Sequence, residues 1–371
     1  MQIKNRLSDY QVQNFRQEIV VPAEESAVGY LSAGDSATEC KNYLSRREVV
    51  SELVKVLIPQ RADPYIYKHT DGYYYFTASV PQYDRIELRR AKTIAELATA
   101  ETVDVWHKPD TGPYSELVWA PELHYNVNPQ TGDAAWYVYF AAAPSREIKF
   151  DLFQHRMYCI RNANANPLEG EWEFKGQVDT GIDTFCLDAT TFTHNGVLYY
   201  LWAQKDKAIQ GNSNLYIAPM KTPWEISGEP VLLTKPEFDW ETIIFWVNEG
   251  PSVLKRNGKI FISYSASATD ENYAMGLLWA DENSDLLDPS SWTKSPSPVL
   301  QTCFEHKIFG PGHNSFTYAE DGDTVMLVYH ARTYTEIIGD PLWNPDRHTF
   351  VKPLRWDEQG MPLFGRPSVI D

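Results

Sequence analysis

The fold is decided by a hairpin that recurs along the chain, and its clearest copy reads DATTFTHNGVLYYLWAQK at residues 188–205. A run rich in β-branched residues leads into the Asn195-Gly196 pair, and an aromatic and aliphatic run follows. Asn-Gly between two such runs is a strong short-range signal for a β-hairpin. Further copies read DPYIYKHTDGYYYFTAS (63–79), EGPSVLKRNGKIFISYSAS (249–267), HNSFTYAEDGDTVMLVYHAR (313–332) and, with a longer turn, WAPELHYNVNPQTGDAAWYVYFAAA (119–143).

The copies share a register. In four of them an acidic residue or a histidine stands eight or nine positions before the turn glycine, namely Asp63, Asp188, Glu249 and His313. The copies begin 56 to 69 residues apart, which is enough for a four-stranded blade with its loops. The pattern predicts an all-β protein, a five-bladed β-propeller. A β-sandwich with the same turns is the alternative, but it does not require five hairpins in one register.

Residues 1–58 do not match the repeat, so they are predicted to form an N-terminal extension to a catalytic propeller at 59–371. The stretch Ser45-Arg46-Arg47-Glu48 before VVSELVKVL has the form of a capping box, which predicts a short helix. We expect the extension to pack against the first or last blade, to complete a sheet or to meet another subunit.

Composition narrows the range of ligands. The 371 residues include 33 Lys and Arg against 50 Asp and Glu, a net charge of −17. A nucleic-acid groove or an anionic membrane surface needs a basic face, so neither is expected as a partner. No apolar run approaches the roughly 18 residues of a membrane span. Neutral or cationic ligands remain.

The cysteines and the N-terminus favour a cytoplasmic location. The four cysteines are far apart, without a CxxC pair, which fits reduced thiols better than disulfides or a zinc site. The first 25 residues show neither the basic start and apolar core of a secretory signal nor a small-residue cleavage site. We therefore expect a cytoplasmic protein.

Propeller geometry turns the register into a prediction of function. The first strands of all blades run parallel along the central channel, so residues at their N-terminal ends meet on one face. Asp63, Asp188, Glu249 and His313 are therefore expected in one funnel. Taken singly, each has an ordinary structural interpretation, but the shared position favours a site. Repulsion between carboxylates raises at least one pKa, which suits the acid and base of a glycosidase.

Five motifs in this order resemble those of glycoside hydrolase family 43, whose five-bladed propellers act on arabinans and arabinoxylans. They are ADP (62–64), WAPE (119–122), LDAT (187–190), NEGPSV (248–253) and GPGHNSF (310–316). The stretch at 69–93 resembles the exo-α-L-arabinofuranosidase branch. The resemblance implies release of terminal L-arabinofuranose from α-1,5-linked arabino-oligosaccharides or arabinan. A β-xylosidase, an endo-arabinanase and a non-catalytic carbohydrate-binding propeller remain alternatives.

The resemblance also implies the roles of the three acids. Asp63 corresponds to the general base that activates water, and Glu249 to the general acid. Asp188 corresponds to the carboxylate that orients the acid and tunes its pKa. The family inverts the anomeric configuration, which requires room for a water between base and sugar.

Further residues are expected around the acids. Trp119 and Phe185 are predicted to form walls of the sugar pocket, and Arg332 is expected near the carboxylates at the end of YHAR. Glu122 of WAPE is expected to be structural. The resemblance places a hydrated calcium ion beside His313, a weak and structural site, and no cofactor is required for the reaction. The oligomeric state is left open.

Overall fold

The computed structural model describes residues 56–150 and 152–367, and the fold is a five-bladed β-propeller, as predicted. The predicted helix that begins near Ser45 lies outside the described residues. In the part that is described, no helix has the length and apolar content to cross a membrane. Short 3₁₀ helices lie at Ala95–Ala98, Asp239–Glu241, Pro289–Ser291 and Pro341–Trp343.

Each predicted hairpin forms the two innermost strands of a blade, and the chain continues outward within the same antiparallel sheet. Blade one contains β1 (Ala62–Lys68), β2 (Tyr74–Ser79), β3 (Arg85–Ala91) and β4 (Thr102–His107). Blade two contains β5 (Glu116–Val127), β6 (Ala134–Ala143), β7 (Arg156–Asn162) and β8 (Glu173–Gln177). Blade three contains β9 (Cys186–His194), β10 (Val197–Gln204) and β11 (Asn214–Thr222), with β12 (Glu225–Ile226) and β13 (Val231–Thr234) both paired to β11.

Blades four and five follow the same plan. Blade four contains β14 (Asn248–Arg256), β15 (Lys259–Ala266), β16 (Ala274–Asp281) and β17 (Thr293–Lys294). Blade five contains β18 (Phe309–Tyr318), β19 (Val325–Arg332) and β20 (His348–Pro353). A separate short hairpin joins β21 (Arg355–Trp356) to β22 (Pro362–Leu363).

The second strands form the core of the molecule. Every residue of β2 is buried, and β6 is buried from its second residue onward. These strands are covered by neighbouring blades on both faces, which explains their nearly continuous aromatic and aliphatic runs. The outer strands β4 and β8 contain only exposed and partly buried residues. The buried second strands therefore hold the first strands rigidly around the channel.

The last blade is completed by residues that precede the first blade. The Leu57 N–H donates to the Thr349 carbonyl at 2.8 Å, and the Thr349 N–H donates to the Ile58 carbonyl at 2.9 Å. These bonds add an antiparallel bridge to the outer edge of β20. The ring of blades is thereby closed by hydrogen bonds between residues almost 300 positions apart.

Candidate active site

A β-bulge near the start of each first strand positions the functional side chains. At each bulge two residues oppose one residue of the second strand. The first bulge residue has a left-handed backbone in all five blades, with φ of 55° at Asp63, 45° at Ala120, 54° at Asp188, 55° at Gly250 and 41° at His313. Residues other than glycine rarely adopt this conformation, and those that do cluster at functional sites.

The bulges also revise the register read from the sequence. Asp63, Asp188 and His313 occupy equivalent positions, whereas Glu249 stands one residue before the bulge residue Gly250. Trp119 likewise stands one residue before Ala120. The spacing between the first bulge residue and the turn glycine is eight residues in blades three and four, nine in blades one and five, and twelve in blade two. Counting back from the glycine therefore placed Glu249 one position out of register.

The bulges open into a pocket of about 380 Å³. Asp63, Asp188, Glu249 and His313 all line it, so the structure brings the four residues together as expected. Most of the remaining wall is formed by loops at the same end of the blades and includes Arg146, Ile148, Leu152, Phe153, Phe245, Leu342, Trp343 and Arg347.

Asp63 is held by donors and cations. The Ser79 hydroxyl donates to Oδ2 at 2.6 Å, while Nδ1 of His313 lies 3.3 Å and Nη1 of Arg347 3.6 Å from Oδ1. Burial opposes ionisation of Asp63, but the charges of His313 and Arg347 outweigh it and keep its pKa well below the usual range. Asp63 is therefore ionised at neutral pH.

His330 supports Asp63 through the backbone. Its Nδ1 accepts the Asp63 N–H at 3.0 Å, so this nitrogen carries no proton. Burial lowers the pKa of His330 to about 3, which keeps the ring neutral. The 3.3 Å approach of the same nitrogen to Oδ1 of Asp63 is consequently not a hydrogen bond.

Glu249 has the opposite surroundings. Its Oε1 accepts a hydrogen bond from the Tyr273 hydroxyl at 2.9 Å. Burial raises the pKa of Glu249 to about 7, and repulsion from Asp63 adds to this, while the Tyr273 hydroxyl and Arg347 oppose it. The carboxyl group of Glu249 is therefore protonated in a substantial fraction of molecules near neutral pH.

Asp188 resembles Glu249 in having a raised pKa. Its Oδ2 accepts the Gly250 N–H at 3.0 Å and lies 3.7 Å from Nδ1 of His313. Burial and repulsion from Glu249 and Asp63 raise its pKa well above the usual value. Asp188 and Glu249 thus compete for protons, while Asp63 remains charged.

Gly250 is favoured at its position chiefly by its close contact with His313. Its backbone is left-handed, and an added Cβ would lie 3.1 Å from Cγ and Nδ1 of the His313 ring. A side chain there would push the imidazole away from Asp63 and Asp188. The Glu249-Gly250 pair therefore lets blades four and five approach closely.

Trp119 and Phe185 both line the pocket, as predicted. One face of Trp119 stacks on His155, with ring centroids 3.9 Å apart, so this face is covered by protein. Its indole nitrogen is buried and has no hydrogen-bond partner among the described residues. Phe185 meets His155 edge to face. Trp119 can therefore offer apolar surface to the pocket.

Arg332 does not lie in the pocket. Its guanidinium donates to the carbonyls of Thr269 and Pro341 and to the side chain of Asn344. It therefore ties two pocket loops together from behind. The arginine beside Asp63 is Arg347, which also donates to the Tyr83 hydroxyl at 3.1 Å.

The remaining contacts of the acids were not predicted. Ser79 and His330 are at the ends of second strands that the repeat already located, so their shared position was a usable signal. Tyr273 directly precedes β16, and Arg347 lies in the long loop before β20. Neither belongs to the repeated hairpin, so periodicity could not indicate them.

Glu122 has surroundings that fit its predicted structural role. Glu122 is buried and pairs with His124 at 2.9 Å, and its charge contributes to the raised pKa of Asp188.

The predicted calcium site beside His313 has few protein ligands. No group of three His, Cys, Asp or Glu side chains within residues 56–150 and 152–367 is placed to hold a metal. Nδ1 of His313 instead faces two carboxylates. Calcium thus stays a prediction, and no chemical step below uses it.

An ionised carboxylate and a carboxyl group with a raised pKa share one pocket at the mouth of a propeller. This combination defines the class of propeller glycoside hydrolases, which need one carboxylate to activate water and one acid to protonate the leaving group. Comparison with known proteins agrees. The model of the glycosyl hydrolases family 43 matches residues 55–362, and the chain belongs to this family.

Relatives of the chain carry related names. A Streptomyces avermitilis protein named extracellular exo-α-(1→5)-L-arabinofuranosidase is 50% identical over 311 residues, which are 84% of this chain and 63% of that protein. A Streptomyces chartreusis protein of the same name is 50% identical over 77% of this chain and 84% of its own length. The crystal structure of an α-L-arabinofuranosidase from Lactobacillus brevis is 59% identical, with a TM-score of 0.82, over 86% of this chain and 98% of that chain.

The expectation of a cytoplasmic protein was wrong. The two Streptomyces relatives are named extracellular, which points to secretion. The cysteines were a poor guide because Cys159 and Cys186 are buried free thiols. Burial raises their pKa well above the usual value, so these thiols are inert and report nothing about the redox compartment.

Proposed function

We propose that the protein is an inverting exo-α-L-arabinofuranosidase that releases terminal L-arabinofuranose from α-1,5-linked arabino-oligosaccharides or arabinan. The chain spans about three fifths of the Streptomyces avermitilis relative, and the names of both Streptomyces relatives support this substrate class. The observation that carries the proposal is the divergence of two pKa values in one pocket, lowered at Asp63 and raised at Glu249.

In the proposed reaction Asp63 takes a proton from a water molecule, whose oxygen attacks the anomeric carbon. Glu249 gives its proton to the glycosidic oxygen as the bond to the anomeric carbon breaks, so that the leaving sugar departs as an alcohol. Asp188 orients Glu249 and tunes its pKa. Free arabinose and the shortened oligosaccharide are the products.

The shape and lining of the pocket favour a terminal sugar. Its walls are largely apolar, with Trp119, Phe185, Phe245 and Trp343 among them, and such surface suits the C–H groups of a furanose. Residues from several loops enclose the acids, which suits the end of a chain better than its middle.

Product analysis tests the proposal. The substrates are p-nitrophenyl α-L-arabinofuranoside, p-nitrophenyl β-D-xyloside and linear α-1,5-arabino-oligosaccharides. Arabinose as the only sugar released, one unit at a time, supports the proposal. Preferential release of xylose would indicate a β-xylosidase, internal fragments an endo-arabinanase, and binding without turnover a carbohydrate-binding propeller.

The stereochemistry tests the mechanism separately. Proton NMR during early turnover of an α-linked substrate should show β-arabinose first. The α-anomer as the initial product would mean retention, which needs a nucleophilic carboxylate in place of one that activates water.

A further inference from the structure

One position in the second strand of each blade lies opposite the residue before the bulge. Its occupants differ among the blades, being Ser79, Ala141, Ala203, Ser265 and His330 in blades one to five. The five positions are equivalent in the propeller. Their side chains therefore show whether each blade offers a hydrogen-bond acceptor to the blade that follows it.

Where the occupant is polar, it accepts a backbone hydrogen bond from the next blade. The Ala120 N–H donates to the Ser79 hydroxyl at 2.7 Å, and the His313 N–H donates to the Ser265 hydroxyl at 2.7 Å. The Asp63 N–H donates to His330, as described above. In each case the donor is the first bulge residue, whose N–H would otherwise be buried without a partner.

Blades two and three have an alanine at this position, and blade three is the one followed by Gly250. Ala203 is fully buried and has no polar atom in its side chain, so it cannot accept the N–H of the next bulge residue, Gly250. The Gly250 N–H donates to the Asp188 carboxylate instead, at 3.0 Å. Because Ala203 offers no acceptor, the Gly250 N–H is bonded to the carboxylate of Asp188 in the pocket.

Blade one shows the alternative arrangement with a carboxylate at the same position. Asp63 and Asp188 are equivalent bulge residues with nearly identical φ. In blade one the Ser79 hydroxyl stands between the two blades, accepting from the Ala120 N–H and donating to Asp63 at 2.6 Å. A hydroxyl therefore separates Asp63 from blade two, whereas Asp188 contacts blade four directly.

We infer that Ala203 is a positioning residue, because its methyl group leaves the Gly250 N–H to Asp188 and so draws this carboxylate against blade four, beside Glu249. The inference rests on the proposed function for its kinetic consequence. A serine at position 203 would give blade three the arrangement of blade one. The introduced hydroxyl would accept the Gly250 N–H and hold Asp188 away from the acid.

The test is Ala203→Ser, assayed on α-1,5-arabinotriose and on aryl α-L-arabinofuranosides with graded leaving groups. Asp188 supports the acid, and only poor leaving groups need protonation, so the loss should be selective. We expect kcat to fall roughly tenfold or more on arabinotriose and less than about threefold on the best aryl leaving group, with KM nearly unchanged. Equal losses across the series, or no loss, would overturn the inference.

Ala141→Ser is the matched control. It makes the same change at the same position one blade earlier, where the hydroxyl would face the Asp188 N–H and leave the Gly250 contact intact. We expect less than about a threefold change in kcat on every substrate. A selective loss equal to that of Ala203→Ser would overturn the inference, because position 203 would then have no special role.

Ser79→Ala makes the converse change and serves if Ala203→Ser does not fold. It removes the hydroxyl that donates a hydrogen bond to Asp63. Because Asp63 activates water, kcat should fall by the same factor on substrates with good and poor leaving groups. A loss confined to poor leaving groups would contradict the assignment of this position.

A crystal structure of Ala203→Ser separates the inference from the proposed function. If the wild-type protein hydrolyses no arabinoside, the proposed function fails. The crystal structure of Ala203→Ser still shows which group accepts the Gly250 N–H. The introduced hydroxyl within about 3 Å of the Gly250 nitrogen supports the inference, and a Gly250 N–H still donated to Asp188 overturns it.

Discussion

The two sides of the pocket use the same kind of side chain in opposite ways. Asp63 has a hydroxyl donor and the Arg347 guanidinium beside it, and its pKa is lowered. Glu249 has the neutral Tyr273 hydroxyl as its hydrogen-bond donor, and burial raises its pKa to about 7. The comparison teaches that the roles of base and acid are assigned by neighbouring side chains, some from the same blade and some from the adjacent one, since both carboxyl groups line the same pocket.

Removing the base should have the largest effect. Asp63→Ala should lower kcat roughly 10⁴-fold on every arabinoside, because the other two acids in the pocket, Asp188 and Glu249, have raised pKa values and cannot replace an ionised base. Azide added to this variant should fit the space left by the carboxylate and restore turnover of an activated aryl arabinofuranoside. The measurement is the yield of glycosyl azide of inverted configuration.

Asp188→Ala is the control for the azide experiment. Azide should not rescue it, because Asp188 supports the acid and does not activate water. If azide rescues Asp188→Ala and leaves Asp63→Ala inactive, the roles of the two aspartates must be exchanged.

Removing the acid should have a large but selective effect. Glu249→Gln keeps the shape of the side chain and cannot protonate the leaving oxygen. We expect roughly a 10³-fold loss of kcat on arabino-oligosaccharides and about a tenfold loss on aryl substrates with good leaving groups. Steady-state kinetics on both substrates check this, and wild-type turnover of the oligosaccharides would show that the acid is elsewhere.

The cation beside the base should control the acidic limb of the pH profile. Arg347→Met removes the charge 3.6 Å from Asp63, so the pKa of Asp63 should rise and the acidic limb of kcat/KM should move to higher pH, by roughly one unit. Arg347→Lys keeps the charge and is the control. A limb that does not move in Arg347→Met would mean that the other partners of Asp63 suffice to hold its charge.

The smallest effect is expected on the acid side. Tyr273→Phe keeps the ring that stacks on His330 but removes the hydroxyl that donates to Glu249. This hydrogen bond lowers the pKa of Glu249, so its loss should raise that pKa and move the basic limb to higher pH by less than about one unit. A basic limb that shifts to lower pH would contradict the proposed assignment of acid and neighbour.

The repeated hairpin and the motifs already determined the fold, the family resemblance and the membership of Asp63, Asp188, Glu249 and His313 in one pocket. Turn glycines and runs of β-forming residues are local signals, so they can be read without knowing what packs against what. The tertiary structure decided the rest. It showed Glu249 to be one residue outside the shared position, because bulges are set by pairing between strands and leave no fixed spacing in the sequence.

Only the tertiary structure shows which side chains contact the acids in the pocket. The sequence indicated Arg332 at the end of YHAR, but in the folded chain Arg332 donates to backbone carbonyls and Arg347 lies beside Asp63. The separation of the Asp63 and Glu249 pKa values has the same origin, since it depends on burial and on charges from residues that are far apart in the sequence. Electrostatic interactions act through space, so the sequence identified the carboxyl groups and the packing of the blades decided which of them is charged.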